Sequence, residues 1–366
     1  MLLYILKRLL LMIPTIFMIT IISFGISRLA PGDPAKMKAG MGAGQQDMST
    51  GQGEDLNEEI LKLIRKQWNL DKPLFYFTIF ENQNDLNPKS IFSRLTFRFN
   101  GLKNQYHIWT MNTLKLDFGK SFRDNEPVID KMKSRIPVTM TLNFIAIFIT
   151  YVISIPLGIY SAINDKSLFE RITTFIVFIL YSLPSFWIGI LAITFLCGGD
   201  FFDIFPYAGL HSTYLENMTP FEKFLDYVWH LILPIIIITY GSFAYLSRQM
   251  RTSMLEVVRQ DYIRTARSKG LAEKTIIFKH ALRNSLIPIV TMLASLLPAM
   301  ISGSIIIETI FSIPGMGLLG YEAIMSRDYP IVMAVFTISS VLTLFGILIA
   351  DILYSVVDPR ITFNKN

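Results

Sequence analysis

Long apolar runs alternate with short charged segments along most of the chain. A helix needs about 20 apolar residues to cross the hydrocarbon core of a bilayer, and six runs reach or approach that length. The predicted spans are residues 9–30, 137–163, 172–197, 231–246, 287–307 and 332–357. Pro184 is expected to kink the third span, because proline lacks a backbone donor. The pattern predicts an all-α integral membrane protein with six transmembrane helices.

The charge content agrees with a membrane protein and indicates its orientation. Only 17% of the 366 residues are charged, whereas soluble globular domains carry about a quarter. Much of the net charge of +6 lies in one short loop, and an excess of Lys and Arg in short loops marks the cytoplasmic side. We therefore expect both termini in the cytoplasm, the acidic loop 198–229 outside, and no nucleic-acid partner.

The predicted spans divide the chain into four parts. These are a first transmembrane helix at 1–30, a long external insert at 31–136, a five-helix core at 137–357 with a cytoplasmic loop at 248–286, and a cytoplasmic tail at 358–366. Within the insert, apolar residues at helical spacing predict a helix at 55–67. Residues 40–53 are rich in Gly and Gln and are interpreted as a flexible loop.

Residue types that bind metals or nucleotides are sparse. Cys197 is the single cysteine, which excludes an internal disulfide and a CxxC metal site. Residues 119–121 (GKS) lack the upstream glycine of a P-loop. The histidines outside the insert are separated along the chain, and we expect neither a metal site nor a nucleophile–base pair among them. They are His211, His230 and His280. The sequence thus predicts no cofactor and no catalytic site.

The most basic segment, residues 256–288, lies between the fourth and fifth spans. Its Lys and Arg residues outnumber Asp261 and Glu273, and Gly270 predicts a break between two short helices. Glu273 then suits the first turn of the second helix, where a carboxylate interacts favourably with the helix dipole. Two interpretations are open: a solvated basic loop, or a helix–Gly–helix element that docks on a soluble partner.

The docking interpretation depends on the apolar residues of this segment. Three would form a small contact surface for the partner: Ile263, Ala266 and Leu271. Three others would hold the second helix at the membrane interface: Ile276, Ile277 and Leu282. A loop that is solvated on all sides needs neither set.

Polar residues within the spans are candidate functional residues, because polar groups are costly to bury in a bilayer. Asp351 is either a functional carboxylate or a residue near the cytoplasmic interface that pairs with a neighbouring subunit or with a basic residue such as Arg248. Glu308 is expected to reach water at the outer end of the fifth span and is therefore interpreted as a structural residue. A polar translocation path is predicted through Asn143, Ser182 and Ser185. The alternative is that such side chains bond backbone carbonyls or neighbouring helices.

Several segments together resemble one family. Residues 264–266 (RTA) with Gly270 match the cytoplasmic EAA-x-x-x-G motif of ABC-importer permeases, although Arg264 replaces the glutamate. Residues 6–34, 308–330 and 350–360 resemble the first helix, the last external loop and the C-terminal signature of that family. The chain is thus similar, over nearly its whole length, to the B-type membrane subunit of the oligopeptide/dipeptide/nickel ABC importers. The long insert, together with the segments GGDFFDIF, GLLGYEA and DPRITF, most resembles the Yej branch, whose members import peptides including microcin C-like antibiotics.

This resemblance implies the type I ABC importer permease fold and a non-catalytic subunit in a bacterial inner membrane. The implied partners are a second homologous permease subunit, ATPase subunits that bind the ATP, a periplasmic substrate-binding protein, a peptide and membrane lipid. The implied ATPase-coupling residues are Arg264, Thr265, Ala266, Ser268, Lys269, Gly270 and Leu271. The implied binding-protein docking surface or periplasmic gate consists of Pro314, Gly315, Gly317, Arg327 and Asp328.

Two alternatives remain at the level of the sequence. In the first, the chain belongs to the same family but imports nickel or another small solute. A secondary transporter driven by an ion gradient would need several intramembrane carboxylates or paired broken helices, and only Asp351 stands out in that respect.

Overall fold

The computed structural model describes residues 2–29, 35–36, 51–81, 95–197, 201–293 and 296–357. In chain order the helices are α1 (Leu2–Leu29), α2 (Gly51–Gln67), α3 (Gln105–Leu114), α4 (Val128–Ile163), α5 (Leu168–Ser182), α6 (Ser185–Leu196), α7 (Pro220–Val258), α8 (Asp261–Ser268), α9 (Glu273–Thr275), α10 (Leu282–Ser285), α11 (Ile287–Leu293), α12 (Leu296–Ser302), α13 (Ile305–Ile310), α14 (Met316–Met325) and α15 (Tyr329–Val357). A π-helical stretch, Ile276–Ala281, joins α9 to α10, and the two strands are β1 (Phe77–Glu81) and β2 (Leu95–Phe99).

Helices occupy all six predicted membrane positions. Four of them, α1, α4, α7 and α15, are long and apolar enough to cross a bilayer. A helix suits these runs because it pairs backbone donors and acceptors within the segment. The fourth predicted span, 231–246, is the centre of the much longer α7. That helix begins at a capping box in which Thr219 Oγ1 accepts from Glu222 N and the Glu222 carboxylate accepts from Thr219 N.

The third predicted span consists of two helices that meet at the predicted kink. The axes of α5 and α6 differ by 90°, so the bend at Pro184 is sharper than a kink within one continuous helix. Leu183 and Pro184 both have extended backbone angles, because proline disfavours helical geometry in the residue before it. By length and composition, the described residues hold four spanning helices, or five if this bent pair counts as one.

The fifth predicted span, 287–307, is also interrupted. It consists of α11, α12 and α13, with a break at Gly303, whose φ is +71°. Ser304 then caps α13, since its side chain accepts from Ile307 N. The apolar pattern therefore located the segment but did not reveal this break.

The predicted insert, residues 31–136, contains both strands and two of the shorter helices. β1 and β2 are antiparallel, with Phe77 opposite Phe99 and Ile79 opposite Phe97. The predicted helix at 55–67 is confirmed as α2, which begins earlier, so residues 51–53 are helical and not part of a loop. Residues 40–50 of the predicted flexible loop and the predicted tail 358–366 lie outside the described residues.

The chain forms two compact units. The first comprises residues 1–13, 133–321 and 338–366, and the second comprises residues 14–132 and 322–337. Helix α7 contributes to two buried apolar clusters of the first unit. The core of the second unit contains Phe24, Tyr106 and Met333, each at most 3% exposed. The Tyr106 hydroxyl lies 2.9 Å from the Thr20 hydroxyl, which satisfies both groups.

A close approach between α4 and α7 is possible only because residue 158 is glycine. A Cβ atom at this position would lie 2.6 Å from Met250 Cβ and 2.7 Å from the Ser247 carbonyl oxygen. Small residues at helix contacts allow such packing in membranes, where van der Waals contact drives association.

We predict that Gly158→Ala destabilises the chain by about 1–3 kcal/mol, because overpacking displaces neighbouring atoms. The matched control is Gly241→Ala in α7, where an added Cβ meets no atom within 4 Å. The melting temperature of the detergent-solubilised chain should fall for Gly158→Ala and stay unchanged or rise for Gly241→Ala. Equal melting of the two variants would contradict the close approach.

Candidate functional site

The basic segment folds as two helical pieces on either side of Gly270, as predicted. We call residues 261–285 the knob. The N–H of Lys269 donates to Thr265 O at 3.1 Å and closes α8, and Gly270 follows with φ +76°. This left-handed conformation favours glycine at a helix C-terminus. Glu273 lies in the first turn of α9, as expected.

An ion pair spans the turn of the knob. Arg267 Nε lies 2.6 Å from Glu273 Oε1, and Arg267 Nη2 lies 3.3 Å from Glu273 Oε2. Both side chains are exposed, so the pair contributes about 0–1 kcal/mol. Its two-point geometry favours one direction for the chain after Gly270, which the apolar packing of the knob then holds.

The apolar underside of the knob is buried in the first unit. Ile263 is 0% exposed and Ala266 is 9% exposed, in one cluster with Met250 and Met254 of α7. The expectation that Ile263 and Ala266 form a contact surface for a partner is therefore wrong, because their own chain covers them. Of that predicted set, only Leu271 is exposed.

The second half of the knob also packs inward. Ile276 and Ile277 belong to the same buried cluster, and Leu282 packs against it. They contact protein within the chain, so the expectation that they hold the knob at a membrane interface needs correction. The side-chain amide of Asn284 further donates to the hydroxyl of Tyr262 at 2.7 Å, which ties α10 to α8.

The outer face of the knob is exposed and basic. Arg264 carries a side chain that is 71% exposed, with Asp261 at 3.5 Å as its partner. Six of the seven predicted coupling residues are exposed, Ala266 being the exception. They are Arg264, Thr265, Ser268, Lys269, Gly270 and Leu271. Their coupling role stays a prediction.

An ion cluster joins the end of α7 to the turn between α4 and α5. Arg251 lies 3.0 Å from Asp165 and 2.8 Å from Glu170, and Arg259 lies 3.6 Å from Asp165. This cluster was not predicted from the sequence, because Arg251 lies 86 residues from Asp165. The acidic Asp165 and Glu170 beside Lys166 were the available signal.

Glu308 lies in a cage of hydrogen-bond donors and does not reach water. It is 2% exposed, so the expectation of an aqueous contact is wrong. Its carboxylate accepts from Thr139 Oγ1 at 3.1 Å and from the backbone N–H groups of Ser304 at 3.3 Å and Leu318 at 2.8 Å. Thr139 Oγ1 in turn accepts from Met316 N at 2.8 Å. The cage thus connects α4, α13 and α14.

Three glycines make room for the Glu308 carboxyl group. A Cβ atom at Gly303, Gly315 or Gly317 would lie closer than 3.0 Å to that group or to nearby backbone. Gly315 and Gly317 are buried. They therefore offer no surface to a binding protein, contrary to the sequence-based expectation, and act as packing residues.

Asp328 is likewise a buried structural group. It is 2% exposed, and its carboxylate accepts from Ser121 Oγ and, at 3.0 Å, from Phe122 N. This burial argues against a docking surface at Asp328. The alternative role of these residues in a periplasmic gate stays a prediction. Of the predicted docking residues, Pro314 and Arg327 are partly exposed.

The three predicted path residues have different environments. Asn143 donates to Ala299 O at 2.9 Å and joins α4 to α12. Ser182 donates to Phe178 O of its own helix at 2.8 Å, which is the alternative that the sequence left open. Ser185 is partly buried at the start of α6. Their role in translocation stays a prediction.

Asp351 pairs with a residue of the first helix. Its carboxylate lies 3.1 Å from Arg8 Nη2. The expected kind of partner, a basic residue, is therefore present, but it is Arg8 and not Arg248.

Two of the three histidines are close in space, contrary to expectation. His211 and His230 each lie 3.4 Å from the Asp226 carboxylate. Within the described residues, no group of three or more His, Cys, Asp or Glu residues has an arrangement suited to a metal ion. The sequence separation of 19 residues between these histidines concealed their proximity.

Residues 154–363 match the family described as binding-protein-dependent transport system inner membrane component. The chain belongs to this family. It is 36% identical to the peptidoglycan transport system permease protein YejB of Agrobacterium fabrum, over 99% of this chain and 98% of the relative. It is 34% identical to the inner membrane ABC transporter permease protein YejB of Escherichia coli O157:H7, over 98% of each chain. It is 35% identical to the oligopeptide transport system permease protein AppB of Bacillus subtilis, over 98% of this chain and 99% of the relative.

Membership in the family fixes the general role of the chain. It is a multi-pass membrane permease of an ABC importer with the type I permease fold. The knob lies within the matched region, as does the Glu308 cage except for Thr139. Family members work with an ATPase and a substrate-binding protein, so an exposed rigid element such as the knob is the natural place to seek a contact.

We predict that Glu308→Gln destabilises this permease by about 1–3 kcal/mol, because an amide NH₂ placed toward backbone N–H groups leaves buried donors unpaired. The matched control is Glu322→Gln, at an exposed position of α14. Thermal unfolding in detergent should separate the two variants. If both melt like the unmodified chain, the carboxylate does not need its cage of donors.

Proposed function

We propose that the chain imports peptides from the periplasm to the cytoplasm across a bacterial inner membrane. The observation that carries this proposal is similarity along the whole chain to permeases named for peptidoglycan and oligopeptide transport. Peptide antibiotics resembling microcin C fall within the proposed cargo. The subunit is itself non-catalytic and binds no cofactor, and ATP is bound and hydrolysed by a separate subunit.

The exposed face of the knob is the proposed ATPase contact. Arg264, Ser268 and Leu271 supply charge, hydrogen bonding and a small apolar contact on that face. The buried underside supports this role, since Ile263 shares a rigid cluster with Met250 of α7. A force on the knob would therefore reach a membrane helix directly, and the ATPase can drive the change by binding two packings with different affinity.

The proposed assembly contains a second homologous permease subunit, ATPase subunits and a periplasmic binding protein. Membrane lipid surrounds the subunits, and no nucleic acid takes part. The knob faces the cytoplasm together with both termini, in agreement with the excess of basic residues in that short loop. The binding protein approaches from the opposite side, where Pro314 and Arg327 are partly exposed.

The ion-driven alternative receives less support from the intramembrane carboxylates. Glu308 accepts three hydrogen bonds from its own chain, and Asp351 pairs with Arg8. Both groups thus have partners within the subunit. Transport of nickel or another small solute by the same mechanism is distinguished from peptide transport by competition in uptake assays.

We predict that a cysteine at Ser268 crosslinks to the ATPase in a nucleotide-dependent way. Ser268→Cys is made in a Cys197→Ser background and co-expressed with the ATPase, which carries a cysteine at its matching surface. The control is Thr213→Cys, in an exposed loop expected on the other side of the membrane. Crosslinking at 268 that changes with ATP, and none at 213, is the expected result. No crosslink at 268, with uptake that follows a proton gradient, would overturn the ABC mechanism.

We predict that Gly270→Val strongly reduces ATP-dependent peptide uptake into proteoliposomes, whereas Gly270→Asn largely preserves it. A left-handed residue other than glycine costs about 1–2 kcal/mol, which is about a 5- to 30-fold change in the equilibrium ratio between the native turn and other conformations, and among the other residues asparagine tolerates this region best. No atom lies within 4 Å of an added Cβ at Gly270, so the pair tests backbone conformation alone. Equal uptake by both variants would show that the turn is not required.

A further inference from the structure

A cleft of about 230 Å³ in the second unit is lined by polar atoms without partners. The residues that matter here come from α1, the turn after α2, α3, the turn after α3 and the start of α15. They are Arg28, Trp68, Gln105, Trp109, Phe122 and Tyr329. All belong to one compact unit.

Four of the lining side chains have buried polar atoms that lack a hydrogen bond. These are Arg28 Nε, Gln105 Oε1, Trp109 Nε1 and the Tyr329 hydroxyl. Gln105 and Tyr329 are each only 6% exposed. Buried polar groups are normally hydrogen-bonded. Four such atoms around one cleft therefore indicate that a molecule bound in the cleft supplies their hydrogen-bond partners.

The side-chain nitrogen of Gln105 fixes the orientation of its amide group. Its side-chain NH₂ donates to Lys72 O at 2.6 Å and to Leu70 O at 3.3 Å. Oε1 therefore remains as an acceptor for a donor from outside the chain. No ion pair of Arg28 occurs among the described residues, and its guanidinium lies 5.2 Å from the ring centre of Phe24.

Trp68, Phe122 and Tyr329 form an aromatic wall of the cleft, and contacts within the chain hold this wall in place. Trp68 and Phe122 stack with ring centres 3.9 Å apart, and Phe122 meets Tyr329 edge to face at 6.4 Å. The Asp328 carboxylate fixes the backbone N–H of Phe122 at 3.0 Å. A wall ordered in advance lowers the entropy cost of binding.

We propose that this cleft binds a free α-amino acid, or a molecule of that size with the same two groups. A carboxylate matches the Arg28 guanidinium and the Trp109 N–H, since guanidinium groups recognise carboxylates well. An ammonium group matches the Gln105 Oε1 acceptor and the faces of the aromatic wall. The cleft is smaller than the roughly 300 Å³ at which pockets for drug-sized ligands begin. The site is distinct from the knob and does not depend on the cargo of the importer.

Tryptophan fluorescence offers a direct test. Of the four tryptophans of this chain, Trp68 and Trp109 line the cleft, so Trp187→Phe/Trp229→Phe leaves these two as the only tryptophan reporters that this chain contributes. The full-length chain, purified with the subunits that accompany it and without binding protein, is titrated with L-alanine and L-leucine. Propionate, L-alaninamide and inorganic phosphate serve as probes that lack one or both groups. We expect a saturable change with an amino acid and binding at least about tenfold weaker for the other probes, which is 1.4 kcal/mol.

Matched variants connect the signal to the cleft. Arg28→Gln should abolish binding, whereas Arg98→Gln, an exposed arginine on β2, should not change it. Tyr329→Phe keeps the ring and removes only the unpaired hydroxyl, and should weaken binding a few-fold even if Arg28→Gln folds poorly. No saturable change, equal binding of propionate or phosphate, or unchanged binding in both Arg28→Gln and Tyr329→Phe would overturn the proposal.

Discussion

The burial of the underside of the knob against α7 is the contact on which the functional surface depends. Ile263 and Ala266 lie in one apolar cluster with Met250 and Met254. Full burial of one such large side chain contributes about 1.5–3 kcal/mol, whereas an exposed ion pair such as Arg267 with Glu273 contributes about 0–1 kcal/mol. Apolar packing therefore holds the knob in place. The polar face can then serve a partner without weakening the attachment to the membrane helix.

Two carboxylates in or beside the predicted spans, Glu308 and Asp351, also have structural contacts within the chain. Glu308 is surrounded by donors from three helices, and the space it occupies requires glycine at Gly303, Gly315 and Gly317. Asp351 is paired with Arg8 across two helices. Each carboxylate links helices that are distant in sequence. Loss of the Glu308 carboxylate would leave buried donors unpaired.

The sequence predicted features that have local signals and missed those that depend on distant contacts. The length of the apolar runs located the helices, and Gly270 followed by Glu273 marked the break in the knob. Nothing local distinguishes a buried Ile263 from an exposed one on so short a helix, because the covering residues come from α7. The cage around Glu308 was missed for the same reason, since its donor Thr139 lies 169 residues away. Pro184 gave the position of a bend but not its size.

Several residues of the segment from Pro314 to Asp328 have packing or hydrogen-bonding roles within the chain, although the segment resembles a family motif. Gly315 packs against the Glu308 carboxyl group in the first unit, and Asp328 holds Ser121 and Phe122 in the second. A substitution at either residue would disturb the internal packing of its own unit. Loss of transport after such a change would therefore not identify a docking contact. Only substitutions at the partly exposed Pro314 and Arg327 separate a binding role from a packing role.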